Sequence, residues 1–259
     1  MGFLTGFVDD LRRRLAEHPL DEGALLARAS VRPPARDFTA ALRERSPALI
    51  AEVKRASPSA GPIAADADPV ALAIAYADGG AAAISVLTEP QHFHGSLADL
   101  EAVRLAVVAP VLRKDFLVHP AQVIESRARG ADAVLLITAS LSDDELTAML
   151  AIARDLGMGA LVETHADGEL DRALASGAEV IGVNARDLET LEVDVERALG
   201  RIGRIPSDRV AVFESGVRAP ADVRAAVDAG ASAILVGEAL MRAPDPRAAV
   251  RHLLAPGVA

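Results

Sequence analysis

Gly130-Ala-Asp-Ala-Val-Leu-Leu-Ile-Thr138 reads as the end of a helix followed at once by a strand covered on both faces. Glycine supplies the left-handed residue that closes a helix, and the alanine after it lets the helix end pack close to the next strand. The run from Ala133 shows no polar alternation, which is the texture of a parallel sheet buried under helices. The same Gly-Ala step recurs at Gly80-Ala81, Gly177-Ala178 and Gly230-Ala231, at intervals of 50, 47 and 53 residues. Each interval holds two strand-helix units. Four such quarters give eight strands, the closure number of an α/β (β/α)8 TIM barrel. An open doubly wound sheet is the competing arrangement, but no Gly-x-Gly-x-x-Gly follows the first strand to recommend it.

Working outward, strands are expected at residues 48–53, 82–87, 111–113, 133–138, 160–163, 180–184, 210–214 and 233–236, with helical patterns filling the gaps from 69–77 to 246–254. Residues 1–46 are polar, arginine-rich and broken by Pro19, Pro33 and Pro34, with amphipathic helices expected at 6–17 and 22–29. They are expected to form a helical extension packed on a barrel of residues 47–259, the whole being a single domain.

The chain has 259 residues, 51% of them apolar, yet its longest apolar runs fall well short of the ~18 needed to span a bilayer. Its first 18 residues lack the apolar core of a secretory signal, and Gly6 stands where a myristoylation motif starting at Gly2 needs Ser or Thr. The absence of cysteine excludes disulfides and thiolate metal sites, so a cytoplasmic location is expected. A net charge of −10 argues against nucleic acid or an anionic membrane as partner. Alanine-rich outer helices fit a monomer.

An anionic substrate would therefore have to be met locally, and the basic residues indicate where. Of 27, 25 are arginine and two are lysine, Lys54 and Lys114. Arginine keeps its proton near neutral pH, whereas lysine shifts its pKa readily on burial. In a barrel of this kind the active site lies at the C-terminal ends of the strands. Glu52 and Lys54 end the first strand, Lys114 the third, Glu163 the fifth, Asn184 the sixth, and Glu214 with Ser215 the seventh. Charge at strand ends also arises because loops are wet; the presence of both lysines in the set favours a site.

After the seventh and eighth strands come Ser215-Gly216 and Gly237-Glu238, where glycine leading into a short helix offers backbone N–H groups to a phosphate. A glycine kept for a tight turn is the simpler alternative. Phe93 and Phe116 stand in loops above the barrel mouth in a chain with seven aromatic residues, as a core edge or as an apolar wall for a ring. His92 and His94 lack a third nearby ligand, so no metal site is expected.

Seven segments then carry a resemblance: Ile50-Ala-Glu-Val-Lys-Arg-Ala-Ser-Pro-Ser59, Ile84-Ser-Val-Leu-Thr-Glu89, Leu112-Arg-Lys-Asp-Phe116, Leu161-Val-Glu-Thr-His165, Gly182-Val-Asn-Ala-Arg-Asp-Leu188, Phe213-Glu-Ser-Gly-Val217 and Leu235-Val-Gly-Glu-Ala-Leu-Met241. From Ala48 onward the chain resembles indole-3-glycerol-phosphate synthase, a lyase of tryptophan biosynthesis. The resemblance implies a TIM barrel with an N-terminal helical extension, acting without cofactor or metal. The implied reaction closes a pyrrole ring on 1-(2-carboxyphenylamino)-1-deoxyribulose 5-phosphate, releasing carbon dioxide and water.

The resemblance also implies roles. Lys114 would protonate the ribulose carbonyl, and Glu163 would handle a proton in dehydration. Lys54 would bind the anionic substrate, its phosphate included, and is the alternative acid to Lys114, while Glu52 holds the lysines in place. Asn184, Glu214 and Ser215 would orient the hydroxyls and the reacting amine. Ser57 and Arg186 would lie near the substrate carboxylate. Phe93, Phe116, Leu135 and Leu188 would hold the anthranilate ring, and Ser215, Gly216, Gly237 and Glu238 the phosphate. Two other readings stand beside it: a different phosphate-binding barrel, such as an isomerase or a lysine Schiff-base enzyme, and a non-catalytic phosphate-binding barrel.

Overall fold

The computed structural model describes residues 2–255. Eight parallel strands close into a barrel: β1 Ala48–Val53, β2 Ala83–Leu87, β3 Val111–Lys114, β4 Ala133–Ile137, β5 Gly159–Thr164, β6 Val180–Asn184, β7 Val210–Glu214 and β8 Ala233–Val236. Each pairs with its sequence neighbours, and β8 returns to β1 through the register Ala48↔Ala233 to Ala51↔Val236. The strands fall within a residue or two of the expected positions. The loop after β1 adds an unexpected two-residue hairpin, Ala56–Ser57 with Gly61–Pro62.

The repeated Gly-Ala step has a structural cause. Gly80, Gly130, Gly177 and Gly230 all have positive φ, between 79° and 111°. At three of them the two bonds of a Schellman motif form: Gly130 N to the Arg127 carbonyl and Ala131 N to the Ser126 carbonyl, both 2.9 Å, with equivalents at Gly80-Ala81 and Gly230-Ala231. The alanine therefore donates the closing hydrogen bond as well as fitting a tight space. At the other end, Asp68, Ser96, Ser142 and Asp245 cap helices through side-chain oxygens.

Three helices, where two were expected, precede the barrel: α1 Phe3–Glu17, α2 Glu22–Ser30 and α3 Phe38–Arg43. α1 lies over the mouth, where Phe7 approaches Phe116 at 4.5 Å between ring centroids. α2 packs on the helix that follows β3, Pro120–Ala128. α3 meets β1, β2 and β7, with Phe38 fully buried against Gly159 at the start of β5. The extension thus touches the barrel at its mouth, its flank and its floor.

Two apolar cores result. Leu49, Ala51 and Val53 of β1 face the outer helices, as do Val134, Leu136, Ile181, Val183 and Phe213. Ala48 and Ile50, with Leu112, Leu135, Leu161, Val212 and Leu235, fill the barrel interior together with Leu4, Phe7 and Val8 of α1 and Phe38 and Leu42 of α3. Side chains alternate along a strand, so the next inward position past each interior apolar residue is fixed. On β1 it is Glu52, on β3 Lys114, on β5 Glu163 and on β7 Glu214. Strand parity delivers the charged set to the inside of the mouth.

Candidate active site

A cavity of about 490 Å³ opens at the C-terminal ends of the strands. Every residue to which the resemblance gives a role lines it, from Glu52, Lys54 and Ser57 through Phe93, Lys114, Phe116, Leu135, Glu163, Asn184, Arg186 and Leu188 to Glu214, Ser215, Gly216, Gly237 and Glu238.

At the centre, Lys114 Nζ donates to Glu163 Oε2 at 2.7 Å and to Glu214 Oε2 at 3.1 Å. An ammonium has three N–H groups, which leaves one for a ligand. Burial acts to lower the lysine's pKa, but the carboxylates of Glu163, Glu214 and Glu52 outweigh it and hold Lys114 above the ordinary lysine value. Glu163 is raised by burial and lowered more by Lys114 and the Asn184 amide, and ends below the usual carboxylate value. For Glu214 burial wins: despite Lys114, and with Glu163 adding like-charge repulsion, it is pushed up to about 8.

Asn184 Nδ2 donates to Glu163 Oε1 at 3.0 Å, and Asn184 Oδ1 accepts from Ser215 Oγ at 2.8 Å and the Arg186 backbone N–H at 2.9 Å. This fixes the amide's orientation and links β5, β6 and the loop after β7. Arg186 spends a guanidinium N–H on the Leu191 carbonyl at 2.8 Å. Lys54 pairs with Glu52 at 2.9 Å. Glu52 makes its ion pair with Lys54, while Lys114 is held by direct hydrogen bonds to Glu163 and Glu214 and feels Glu52 only through its charge.

The outward neighbour of Lys114 stiffens the strand end. Arg113, 3% exposed, reaches Asp115 at 2.9 Å, Glu125 at 2.9 Å and Ser126 at 3.1 Å, and Asp115 accepts from Thr88 Oγ1 at 2.5 Å. This buried, charge-assisted network ties β2, β3 and the helix that follows β3 behind the lysine.

At the opposite wall, Ser215 and Gly216 take φ of 66° and 84°, so two successive residues are left-handed. Gly237 leads into a short helix, Glu238–Met241. A Cβ on Gly237 would stand 2.5 Å from Glu52 Oε1 and 3.2 Å from Lys54 Nζ, so only glycine leaves room for that ion pair. The Glu238 carboxylate itself pairs with Arg242 at 2.9 Å.

Sequence reasoning missed Phe3, Asp115, Arg218 and Arg242, which also line the cavity. Phe3 was findable. Two of the seven aromatics, Phe3 and Phe7, stand four residues apart in the first helix, on one face of it. Rarity, the argument that picked out the lysines, applied equally to them. His92, set aside as a metal ligand, has its ring 5.2 Å from Phe3 and 5.4 Å from Phe7 and belongs to this aromatic lid. No metal-binding group of three His, Asp or Glu residues occurs among the described residues.

Barrel and mouth together define a (β/α)8-barrel enzyme equipped for acid-base chemistry. Solved structures agree on the fold: 3-hexulose-6-phosphate synthase superposes with a TM-score of 0.63 at 22% identity, over 80% of this chain and 97% of that one. A thiamine phosphate pyrophosphorylase from Pyrococcus furiosus superposes with 0.61 at 18% identity, over 82% and 96%. The chain belongs to the indole-3-glycerol phosphate synthase family, whose model matches residues 5–253. It is 54% identical over 254 residues to the Mycobacterium avium indole-3-glycerol phosphate synthase, covering 98% of this chain and 93% of that protein. It is 52% identical over 260 aligned positions to the Rhodococcus opacus enzyme, covering 99% and 96%. The chain is accordingly a decarboxylating lyase of tryptophan biosynthesis. Family membership also reaches back past Ala48 through the extension to residue 5, further than the sequence motifs alone implied.

Proposed function

We propose that the cavity closes the pyrrole ring of 1-(2-carboxyphenylamino)-1-deoxyribulose 5-phosphate, with Lys114 as the acid at the ribulose carbonyl. The single observation that supports this most is the buried ammonium of Lys114, held between Glu163 and Glu214 and facing an apolar-walled cavity. As the ring carbon attacks, charge develops on the carbonyl oxygen, and a positioned cation with a transferable proton meets it in a site that limits water. Glu163 takes the proton lost when the indole ring becomes aromatic.

Lys54 pairs with the phosphate, and the N–H groups of Gly216, Gly237 and Glu238 hold it beside Ser215. The Glu238 carboxylate, neutralised by Arg242, turns away from that duty. Phe93, Phe116, Leu135 and Leu188 receive the anthranilate ring, with Ser57 and Arg186 toward its carboxylate. Fixing the phosphate at one end and the ring at the other folds the arm back onto the ring carbon, which is where orientation contributes. The chain acts as a monomer in the cytoplasm: its lack of cysteine and its alanine-rich outer helices support that reading. Among the described residues no helix is long and apolar enough to cross a membrane.

Purified protein incubated with the carboxyphenylamino deoxyribulose phosphate should give a rise in indole fluorescence. Folded protein that leaves the substrate unchanged would refute the assignment.

A further inference from the structure

Arg113 stands where the barrel otherwise places apolar side chains. It points outward from β3, and its register partners are Val86 on β2 and Val134 on β4; Val53, Val162, Val183 and Phe213 continue that apolar layer round the barrel. A guanidinium only 3% exposed in such a layer is desolvated, and its ion pairs do little more than offset the cost. An apolar side chain of similar volume commonly holds such elements together as well. Stability therefore does not account for an arginine at this position. Its contacts show what does.

The guanidinium joins three segments. Nη2 donates to Asp115 Oδ2 at 2.9 Å and Nε to Thr88 Oγ1 at 3.2 Å, while Nη1 reaches the Gln122 carbonyl, Glu125 Oε2 and Ser126 Oγ at 3.2, 2.9 and 3.1 Å. Arg113 and Asp115 flank Lys114 in sequence, so their side-chain bond closes a short ring behind the lysine's own backbone. Thr88 completes it from β2: its hydroxyl donates to Asp115 Oδ2 and its N–H to the Lys114 carbonyl at 3.1 Å. The helix Pro120–Ala128 braces the far side, where the buried Gln122 side chain also donates to the Phe116 carbonyl at 3.2 Å. The end of β3 is thus fixed to β2 and to a helix.

Lys114 depends on that fixture. Its four-carbon stem is flexible, and its tip is anchored on Glu163 at 2.7 Å and Glu214 at 3.1 Å, which stand on β5 and β7. Both contacts persist only while the strand end keeps its height and roll, and a misplacement of about 1 Å at a reacting group can cost on the order of 10²-fold in rate. A planar arginine fork meets acceptors on several sides at once, whereas an apolar side chain packs without fixing a direction.

We propose that Arg113 is a positioning residue for ring closure: held by Thr88, Asp115 and the helix behind it, it sets the strand end from which Lys114 presents its ammonium to the ribulose carbonyl. Arg113 itself does not line the cavity. This role rests on the synthase reaction proposed above, with Lys114 acting at that carbonyl.

Arg113→Lys keeps the cation and loses the fork. It should lower kcat about tenfold and leave KM within about twofold, because substrate still binds while the acid is misplaced. Disabling the lysine first should hide the effect: added to Lys114→Arg, Arg113→Lys should cost less than about twofold more. Should Arg113→Lys not fold, Arg113→Met combined with Glu125→Gln takes the same measurements; it removes the cation together with one carboxylate and leaves Asp115 its bonds to Thr88 and the Phe116 N–H. An unchanged kcat, a rise in KM matching the fall in kcat, or the full loss in the Lys114→Arg background as well would each overturn the proposal. The last is what a purely structural arginine would give. Without turnover, amide hydrogen exchange should quicken at Lys114 to Phe116 and stay as in wild type at Ala133–Ile137; uniform exchange would likewise overturn it. If wild type itself yields no indole, the synthase reading fails, and the exchange result alone decides whether Arg113 fixes the strand end.

Discussion

Lys114 and its neighbours determine what single substitutions should do. Lys114→Arg keeps the cation and loses the transferable proton. Turnover should fall about 10²- to 10⁴-fold, the usual worth of general acid help, with substrate affinity nearly unchanged. Equilibrium binding measured beside kcat checks this. Gly182→Ala would drive a methyl group into Glu214. Overpacking of this kind costs about 1–3 kcal/mol, and here it should also depress kcat, because the carboxyl it displaces touches Lys114. Denaturant unfolding and kcat should drop together.

The pH profile follows from Glu214. Its folded-state value, about 8, lies above the reference 4.5, so proton binding stabilises the fold fully below about 4.5, and that contribution is lost as pH rises through about 8. An alkaline limb in kcat near pH 8 is expected, absent from Glu214→Gln. At this scale the sequence was informative because chemistry dictated residue type: two lysines among 27 cations mark positions where arginine would not serve. Side-chain pairing was not legible. Which carboxylate meets which lysine depends on barrel stagger, which no local pattern encodes.

Among the elements, α1 is the one whose placement the sequence did not reveal. It is held at both ends by polar contacts: Thr5 N–H donates to Glu189 Oε1 at 3.1 Å, and Arg12 grips Glu145 at 2.7 and 3.1 Å and the Ser140 carbonyl at 3.1 Å. On the same helix Phe3 and Phe7 pack on His92 and Phe116. These partners come from distant segments of the chain, so an amphipathic pattern predicts a helix and says nothing of where it docks. The Arg12 hydrogen bond holds Glu145 down to about 2, against a reference of 4.5. That clamp is therefore in force above about pH 4.5 and is lost as pH falls through about 2. Arg12→Ala should speed hydrogen exchange in Phe3–Glu17 and raise KM more than it lowers kcat, with little change in global stability, as exposed pairs contribute under about 1 kcal/mol. Unchanged exchange would show that the aromatic contacts alone hold the helix.

At the scale of the whole molecule, the extension and barrel share one interior core, which runs from Phe7 over the mouth to Phe38 and Leu42 under the floor. We propose that residues 1–46 and 47–259 unfold as a single cooperative unit, seen as one calorimetric transition. Phe38→Ala would empty the floor. Large aromatic-to-alanine changes in a core cost about 3–5 kcal/mol, or more than about 6 °C in Tm at ~2 °C per kcal/mol for a chain of this size. Here the sequence was most legible, because the Gly-Ala repeat reports a backbone requirement, a left-handed residue closing a helix, that tertiary context cannot override. α3 was not legible since its six residues are too few to show a period.

Both ε-amines of the protein stand in one cavity, Lys114 with 13% of its side chain exposed and Lys54 with 20%. Apart from the chain's first residue, an amine-selective acylating reagent has nothing else to modify. Once the adduct on the first residue is subtracted, the mass added to the intact protein becomes a gauge of ligand occupancy, and a protease that cuts only after lysine becomes a gauge of barrel opening.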